Sequence, residues 1–308
     1  MCGIVGFVRT TTHTSERTKK CVEELLLNNI ERGRDAAGAL ITYGNTVSTV
    51  KGAGTAQRLI ATKGWKVLMK YPYWDMFIGH TRAATHGPAY DNKNNHPHST
   101  AKYEYSLVHN GIINAPVPDG IQLQSQCDSE IALRLFETYG IVNGAKELAK
   151  LTDGYAIFCI DTVKKQFYAL RGHYPIFYIN LPNILGGTLF SSTKESIQFA
   201  LASTGFAWRS LTDQIKSLQA NTLYSMQPNS PKWTTVMALS PHISSAYRDV
   251  GNSCWDDFFH NKAHLQLEAK HQYVQKELNR YTKNADGVYE KTKVQKQIPE
   301  EDDYGSYI

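Results

Sequence analysis

The chain has 308 residues, of which 42% are hydrophobic and 20% charged, a composition that buries a sizeable core and excludes wholesale disorder. A formal net charge of +5 is too small and too dispersed to indicate nucleic acid directly. Five cysteines at scattered positions, without a CxxC pair, suggest neither a disulfide framework nor a zinc knuckle and fit a reducing, cytoplasmic setting. No apolar run approaches the length of a membrane span, and the start lacks the basic-then-apolar pattern of a signal peptide.

In chain order, Cys2 to Val8 reads as a buried strand and Ser15 to Ile30 as a helix capped by Ser15, with Val22, Leu25 and Leu26 at helical spacing. Arg32-Gly33-Arg34-Asp35 ends that helix. Ala37 to Thr42 and Val47 to Val50 read as strands around the turn Gly44-Asn45. Met76 to Thr81 and Tyr105 to Asn110 are short strands, each ending in a polar cluster, where sites tend to sit. Asp128 to Tyr139 reads as a helix with Ile131, Leu135 and Phe136 on one face. A series of strands follows at Gly154–Asp161, Gln166–Arg171, Phe177–Leu181 and Thr188–Ser191. Then come a helix from Thr193 to Ala202 and late strands at Leu223–Gln227 and Thr234–Ala238. Blocks of strands separated by a few helices predict an α+β fold rather than βαβ alternation. Near residue 245 the character changes. An apolar stripe from Phe259 to Tyr281 predicts a helix capped by Asp256-Asp257, and the polar residues from Lys283 to Ile308 predict a mobile tail. Residues 1–244 are thus expected as one domain and residues 245–308 as a C-terminal extension, a candidate docking element from Ser253 onward.

The second residue carries a chemical possibility. Removal of Met1 would leave Cys2 with both a thiol nucleophile and a free α-amine, a base of ordinary pKa near 8, in one residue. A cysteine at this position is uninformative alone. Other segments add weight: Arg32-Gly33-Arg34-Asp35-Ala36-Ala37-Gly38, Gly79-His80-Thr81-Arg82-Ala83-Ala84-Thr85-His86-Gly87, His109-Asn110-Gly111-Ile112-Ile113 and Asp128-Ser129-Glu130. Each has a plain structural reading. Asp128 could be an N-cap, Arg82 a surface ion-pair partner, and Asn110-Gly111 a type I′ turn.

With Cys2-Gly3-Ile4-Val5-Gly6, and with lesser matches at Asn95-His96-Pro97-His98 and Asp153-Gly154-Tyr155-Ala156, these segments stand in an order that resembles the class II glutamine amidotransferase domain, an N-terminal nucleophile hydrolase. The likeness covers about residues 1–240 and is strongest to the glutaminase half of glucosamine-6-phosphate synthase. The Arg32–Gly38 and Asp128–Glu130 segments also resemble amidophosphoribosyltransferase. The resemblance implies a four-layer αββα sandwich of two antiparallel sheets. It implies Cys2 as nucleophile and, through its α-amine, as base, with the Asn110 side chain and the Gly111 N–H as the oxyanion hole. It gives Arg82 to the α-carboxylate of L-glutamine and Asp128 to its α-ammonium, places Thr85 and His86 in a closing loop, and has Arg32 and Asp35 shape the pocket floor. No cofactor is implied.

Five histidines, at positions 80, 86, 96, 98 and 109, lie within thirty residues, but no HExxH or acidic ligand spacing accompanies them, so no metal site is expected. Ala83 departs from the synthase pattern, which has tryptophan there, and bears on loop closure rather than catalysis. Some sixty residues after 245 are too few for a synthase domain, and no phosphate-binding loop motif is present. The expectation is therefore a stand-alone glutaminase that supplies ammonia to a separate acceptor synthase. The alternatives are an idle glutamine-binding regulatory subunit and an amidohydrolase acting on another γ-glutamyl amide.

Overall fold

The computed structural model describes residues 2–12, 14–230, 232–240, 281–283 and 289–291. The strands are β1 (Gly3–Arg9), β2 (Ala36–Tyr43), β3 (Thr46–Ala53), β4 (Met76–Arg82), β5 (His98–Ser99), β6 (Tyr105–Gly111), β7 (Tyr155–Asp161), β8 (Gln166–Arg171), β9 (Phe177–Leu181), β10 (Gly187–Ser191), β11 (Lys216–Ser217), β12 (Thr222–Met226), β13 (Thr234–Ala238), β14 (Tyr281–Lys283) and β15 (Tyr289–Lys291). The α-helices are α1 (Glu16–Asn28), α2 (Ala56–Ile60), α3 (Lys63–Lys70), α4 (Ser129–Leu151), α5 (Pro182–Leu185), α6 (Lys194–Ser203) and α7 (Trp208–Leu211).

Two antiparallel sheets result, ordered β11-β9-β10-β1-β4-β2-β3 and β13-β12-β8-β7-β6-β5. The alternation of side chains along each strand sorts their apolar residues into three cores. Val5 and Phe7 face α1 and α6 on the outside of the first sheet. Ile4 and Val8, with Met76 and Ile78 of β4 and Val108 of β6, fill the space between the sheets. Leu107 and Ile157 face Ile131, Leu135 and Phe136 of α4 on the outside of the second. Three cores between four layers are the αββα sandwich expected from the sequence.

Most expected elements are present within a residue or two, and Ser15 caps α1 through its side chain, accepting from the Thr18 N–H at 3.0 Å. Three differences have physical causes. The pair α2 and α3 was not expected. Thr55 and Thr62 cap them, and Leu59, Trp65 and Leu68 tuck into the outer core, but each helix is too short to show a periodic stripe. Helix α4 runs to Leu151 rather than ending at Tyr139, because Gly140 turns the chain at φ 73°, ψ 166° and a second helical stretch follows. Tyr281–Lys283 and Tyr289–Lys291 pair as antiparallel strands, where the end of a helix and the start of an unstructured tail were expected. The remainder of the expected C-terminal helix, and the boundary at 244/245, lie outside the described residues. Among the described residues no helix is long and apolar enough to cross a membrane.

Candidate active site

Strand parity brings the candidate residues together. Cys2 continues the alternation of Ile4 and Val8 into the space between the sheets, His80 and Arg82 continue that of Met76 and Ile78, and Asn110 continues that of Val108. Gly3 lies opposite Thr81, and the His80 Nε2 meets the His109 carbonyl across the sheets at 2.9 Å. Cys2, Arg82 and Asn110 therefore converge at one end of the sandwich.

Cys2 is held on several sides. Its Sγ lies 3.5 Å from the Ala83 carbonyl, and the Arg32 Nε donates to the Cys2 carbonyl at 2.9 Å. The next residue is packed so closely that a Cβ on Gly3 would stand 2.6 Å from Thr81 Oγ1 and 2.8 Å from Asn29 Cβ. The Ile4 N–H donates to Ser192 Oγ at 2.9 Å. Burial pushes the Cys2 thiol above its ordinary value. The field of Arg82 opposes that shift and the field of Asp128 adds to it, so both side chains act on the sulfur.

Asn110 is 1% exposed, and its amide nitrogen has no hydrogen-bond partner among the described residues. An unpaired buried donor costs on the order of 1–3 kcal/mol, so its retention needs a reason. The adjacent Gly111 has φ 153°, and a Cβ there would lie 2.1 Å from the Gly154 carbonyl. Only glycine fits, and the Asp153-Gly154 turn supplies the wall. Neither residue forms a type I′ turn; both close β6.

Asp128 is not a side-chain N-cap either. Its carboxylate accepts from the Ile113 N–H at 2.7 Å, with the other oxygen 3.6 Å from His86 Nδ1. Glu130, two residues on, accepts from the N–H groups of Gln124 and Ser125 and pairs with Arg134, which pins the segment leading into Asp128. Arg82 is no surface ion pair. It is 2% exposed, and its guanidinium donates to Asn95 Oδ1 at 3.1 Å, to the Gly87 carbonyl at 2.9 Å and to the His86 carbonyl. It thereby shapes the loop that carries Thr85 and His86, both of which are exposed. Asp35 anchors the base of that loop, accepting from the Ala84 N–H at 2.8 Å. A Cβ on Gly33 would meet the Arg82 backbone at 2.3 Å, so the Arg32–Asp35 turn presses directly on the loop's root. Arg32 thus reaches Cys2, while Asp35 lies on the loop side.

Beneath these groups four of the five histidines singled out in the sequence pack together. His80 and His96 stack with ring centroids 3.9 Å apart, His98 meets His96 edge-on at 4.5 Å, and the His109 Nδ1 bonds Ser129 Oγ at 2.8 Å. Burial holds all four imidazoles neutral: His80 and His98 are pushed down to about 3, His109 to about 4, and His96 well below its ordinary value. Lys51 donates to the Asn95 and Pro97 carbonyls at 2.6 and 2.9 Å, and burial lowers its amine to about 8. Ser129 belongs to the Asp128-Ser129-Glu130 segment and Cys127 adjoins it, but nothing in the sequence around Lys51 marks it as a neighbour of the site, because it reaches it from β3.

The chain is similar in sequence to glutamine–fructose-6-phosphate aminotransferases. It is 32% identical to the Streptococcus pyogenes enzyme over 179 residues, covering 53% of this chain and 27% of the relative. It is 31% identical to the Sulfolobus acidocaldarius enzyme over 188 residues, covering 56% of this chain and 30% of the relative. The chain thus spans less than a third of the length of these relatives. In structure it resembles the glutamine phosphoribosylpyrophosphate amidotransferase of Bacillus subtilis, with a TM-score of 0.56 at 16% identity, over 76% of this chain and 49% of that one. No family model matches the chain. The sequence similarity and the shared fold bear out the resemblance carried by the motifs.

Proposed function

We propose that this class II glutamine amidotransferase domain hydrolyses the side-chain amide of L-glutamine to glutamate and ammonia, through a thioester on Cys2. The observation that carries the reading is the convergence of Cys2, flanked by Arg82 and Asp128, with the unpartnered buried amide of Asn110.

The steps follow from the residue chemistry. Once Met1 is removed, the Cys2 α-amine takes the thiol proton as the sulfur attacks the amide carbon. The carbonyl oxygen becomes an oxyanion, which the Asn110 amide and the Gly111 N–H receive; one such donor is worth roughly 3–4 kcal/mol of barrier. The protonated amine gives its proton to the departing nitrogen, the C–N bond breaks, and ammonia leaves a γ-glutamyl thioester. Water, deprotonated by the same amine, attacks the thioester to form a second oxyanion, whose collapse breaks the C–S bond, returns the amine's proton to the Cys2 sulfur and releases glutamate. Asp128 holds the substrate ammonium and Arg82 its carboxylate. Because the Arg82 guanidinium also holds the His86 and Gly87 carbonyls, substrate binding and the position of the Thr85–His86 loop are coupled. Arg32 and Asp35 act on this machinery from outside it, through the Cys2 carbonyl and the loop backbone.

The product ammonia has a nucleophile's chemistry and is expected to pass to a separate acceptor synthase, with the residues from Ser253 onward as the candidate docking element. The test is glutamate release from L-glutamine by protein whose N-terminus is Cys2, beside Cys2→Ala. Release by the first alone supports the reading, and equal release by both refutes it. Glutamine binding without release by either would favour the idle regulatory subunit.

A further inference from the structure

We propose that His96, His98 and Cys127 form a binding site for a thiophilic transition-metal ion, Zn²⁺ foremost, directly behind the Asp128 carboxylate. The donor atoms of the three side chains lie within 4.8 Å of one another. Donors around a tetrahedral zinc ion stand about 3.5 Å apart, so the site needs a contraction of roughly 1 Å. All three residues are nearly inaccessible, at 3%, 4% and 3% exposure.

The hydrogen bonding identifies the two imidazoles as ligand atoms without employment. Both ring nitrogens of His96 and the Nε2 of His98 are buried with no hydrogen-bond partner among the described residues. A buried imidazole normally spends at least one nitrogen on a partner. The Cys127 thiol makes a weak 3.8 Å contact with Asp128 Oδ1 and also meets the hydroxyl and backbone of Ser129, bonds that a thiolate on a metal can keep as an acceptor. The backbone on both sides is fixed by other means. The Gln126 N–H donates to Asn94 Oδ1 at 2.8 Å, which ties the Cys127 segment to the residues just ahead of His96, and Lys51 clamps the Asn95 and Pro97 carbonyls. Two imidazoles and one thiolate form a set that selects Zn²⁺ or Co²⁺ over Mg²⁺ and Ca²⁺, with solvent as the fourth ligand.

Charge limits the affinity and also points to a consequence. Lys51, Arg82 and Arg134 all act on His98, so an arriving dication meets three cations, of which Arg134 is already paired with Glu130. The Cys127 thiolate, formed as the thiol proton leaves to solvent, and the adjoining Asp128 carboxylate offset them. A metal held there competes for the charge of Asp128. On the reading of Asp128 as the ammonium ligand, Zn²⁺ should therefore weaken glutamine binding.

Co²⁺ titration reads the site without reference to activity. The doubly substituted protein Cys2→Ala, Cys254→Ala removes the one thiol among the described residues that is not buried and the cysteine that lies outside them. It is expected to take up one equivalent of Co²⁺ with a thiolate-to-cobalt charge-transfer band and strong tetrahedral d–d bands, both displaced by Zn²⁺. Cys127→Ser in the same background, shown folded by circular dichroism, should abolish the charge-transfer band and weaken uptake at least tenfold. No uptake, or a band that survives Cys127→Ser, overturns the proposal. If the bands appear while Zn²⁺ leaves the KM of the native enzyme for glutamine unchanged, the site stands and the assigned role of Asp128 fails.

Discussion

At the scale of single residues, the site is defined by groups that the fold leaves unsatisfied or forces into unusual conformations. The orphan amide of Asn110 is the sharpest example. Asn110→Ala removes the proposed oxyanion donor and is expected to lower kcat about a hundredfold or more with little change in KM, since such a donor acts only when the oxyanion forms. Steady-state kinetics with glutamine decide this, and a large rise in KM at normal kcat would mean that Asn110 binds the ground state. Asp128 makes the opposite prediction. In the proposed binding mode its carboxylate sees the ammonium in both ground and transition states, so Asp128→Asn should raise KM by about 10-fold to 100-fold with kcat largely kept. Ala83, where the synthase pattern has tryptophan, meets the sulfur through its backbone carbonyl, a contact that any residue at that position provides.

Single elements set how stably these groups are held. Gly140 sits at φ 73°, ψ 166°, a region essentially reserved for glycine, with open space where a Cβ would point. Gly140→Ala should therefore cost about 1–3 kcal/mol of stability through backbone strain alone, measurable by urea unfolding, while the distant site keeps its turnover. The histidine cluster where β4, β5 and β6 meet gives a pH dependence of definite sign. His80, His98 and His109 protonate near 3 to 4 when folded and near 6.5 when unfolded. Their contribution is fully present above about 6.5 and is lost progressively as pH falls towards 3 to 4, because only the unfolded chain takes up the protons. Unfolding midpoints should drop steeply below about pH 6, and a flat profile between pH 6.5 and 4 would contradict the burial of these rings. The same elements show what was legible beforehand. Strands β4 and β6 announced themselves as apolar runs ending in polar clusters, and the motif residues at their ends do meet. The second half of α4 was hidden because Gly140 reads as a stop. The link from His96 and His98 to Cys127 was invisible because some thirty residues separate them and the contact is made only when the 121–128 segment folds back beside β5.

For the molecule as a whole, the αββα sandwich places Cys2, the proposed nucleophile, just ahead of its first strand, and Asn110 and Gly111, the proposed oxyanion donors, at the end of a strand in the opposing sheet. That arrangement explains why an N-terminal residue can carry the chemistry: β1 is central, and its first residues are locked between β4 and the α1 end at Asn29. In the proposed mechanism the α-amine of Cys2 serves as base. His80, His96, His98 and His109 are buried, while His86 belongs to the exposed loop. The most direct measurement compares glutamate release by protein beginning at Cys2 with that by protein carrying an uncleaved N-terminal extension, before and after the extension is removed to expose Cys2. The account predicts release from the first, none from the extended form, and recovery on cleavage. Equal release with the α-amine locked in a peptide bond would contradict it.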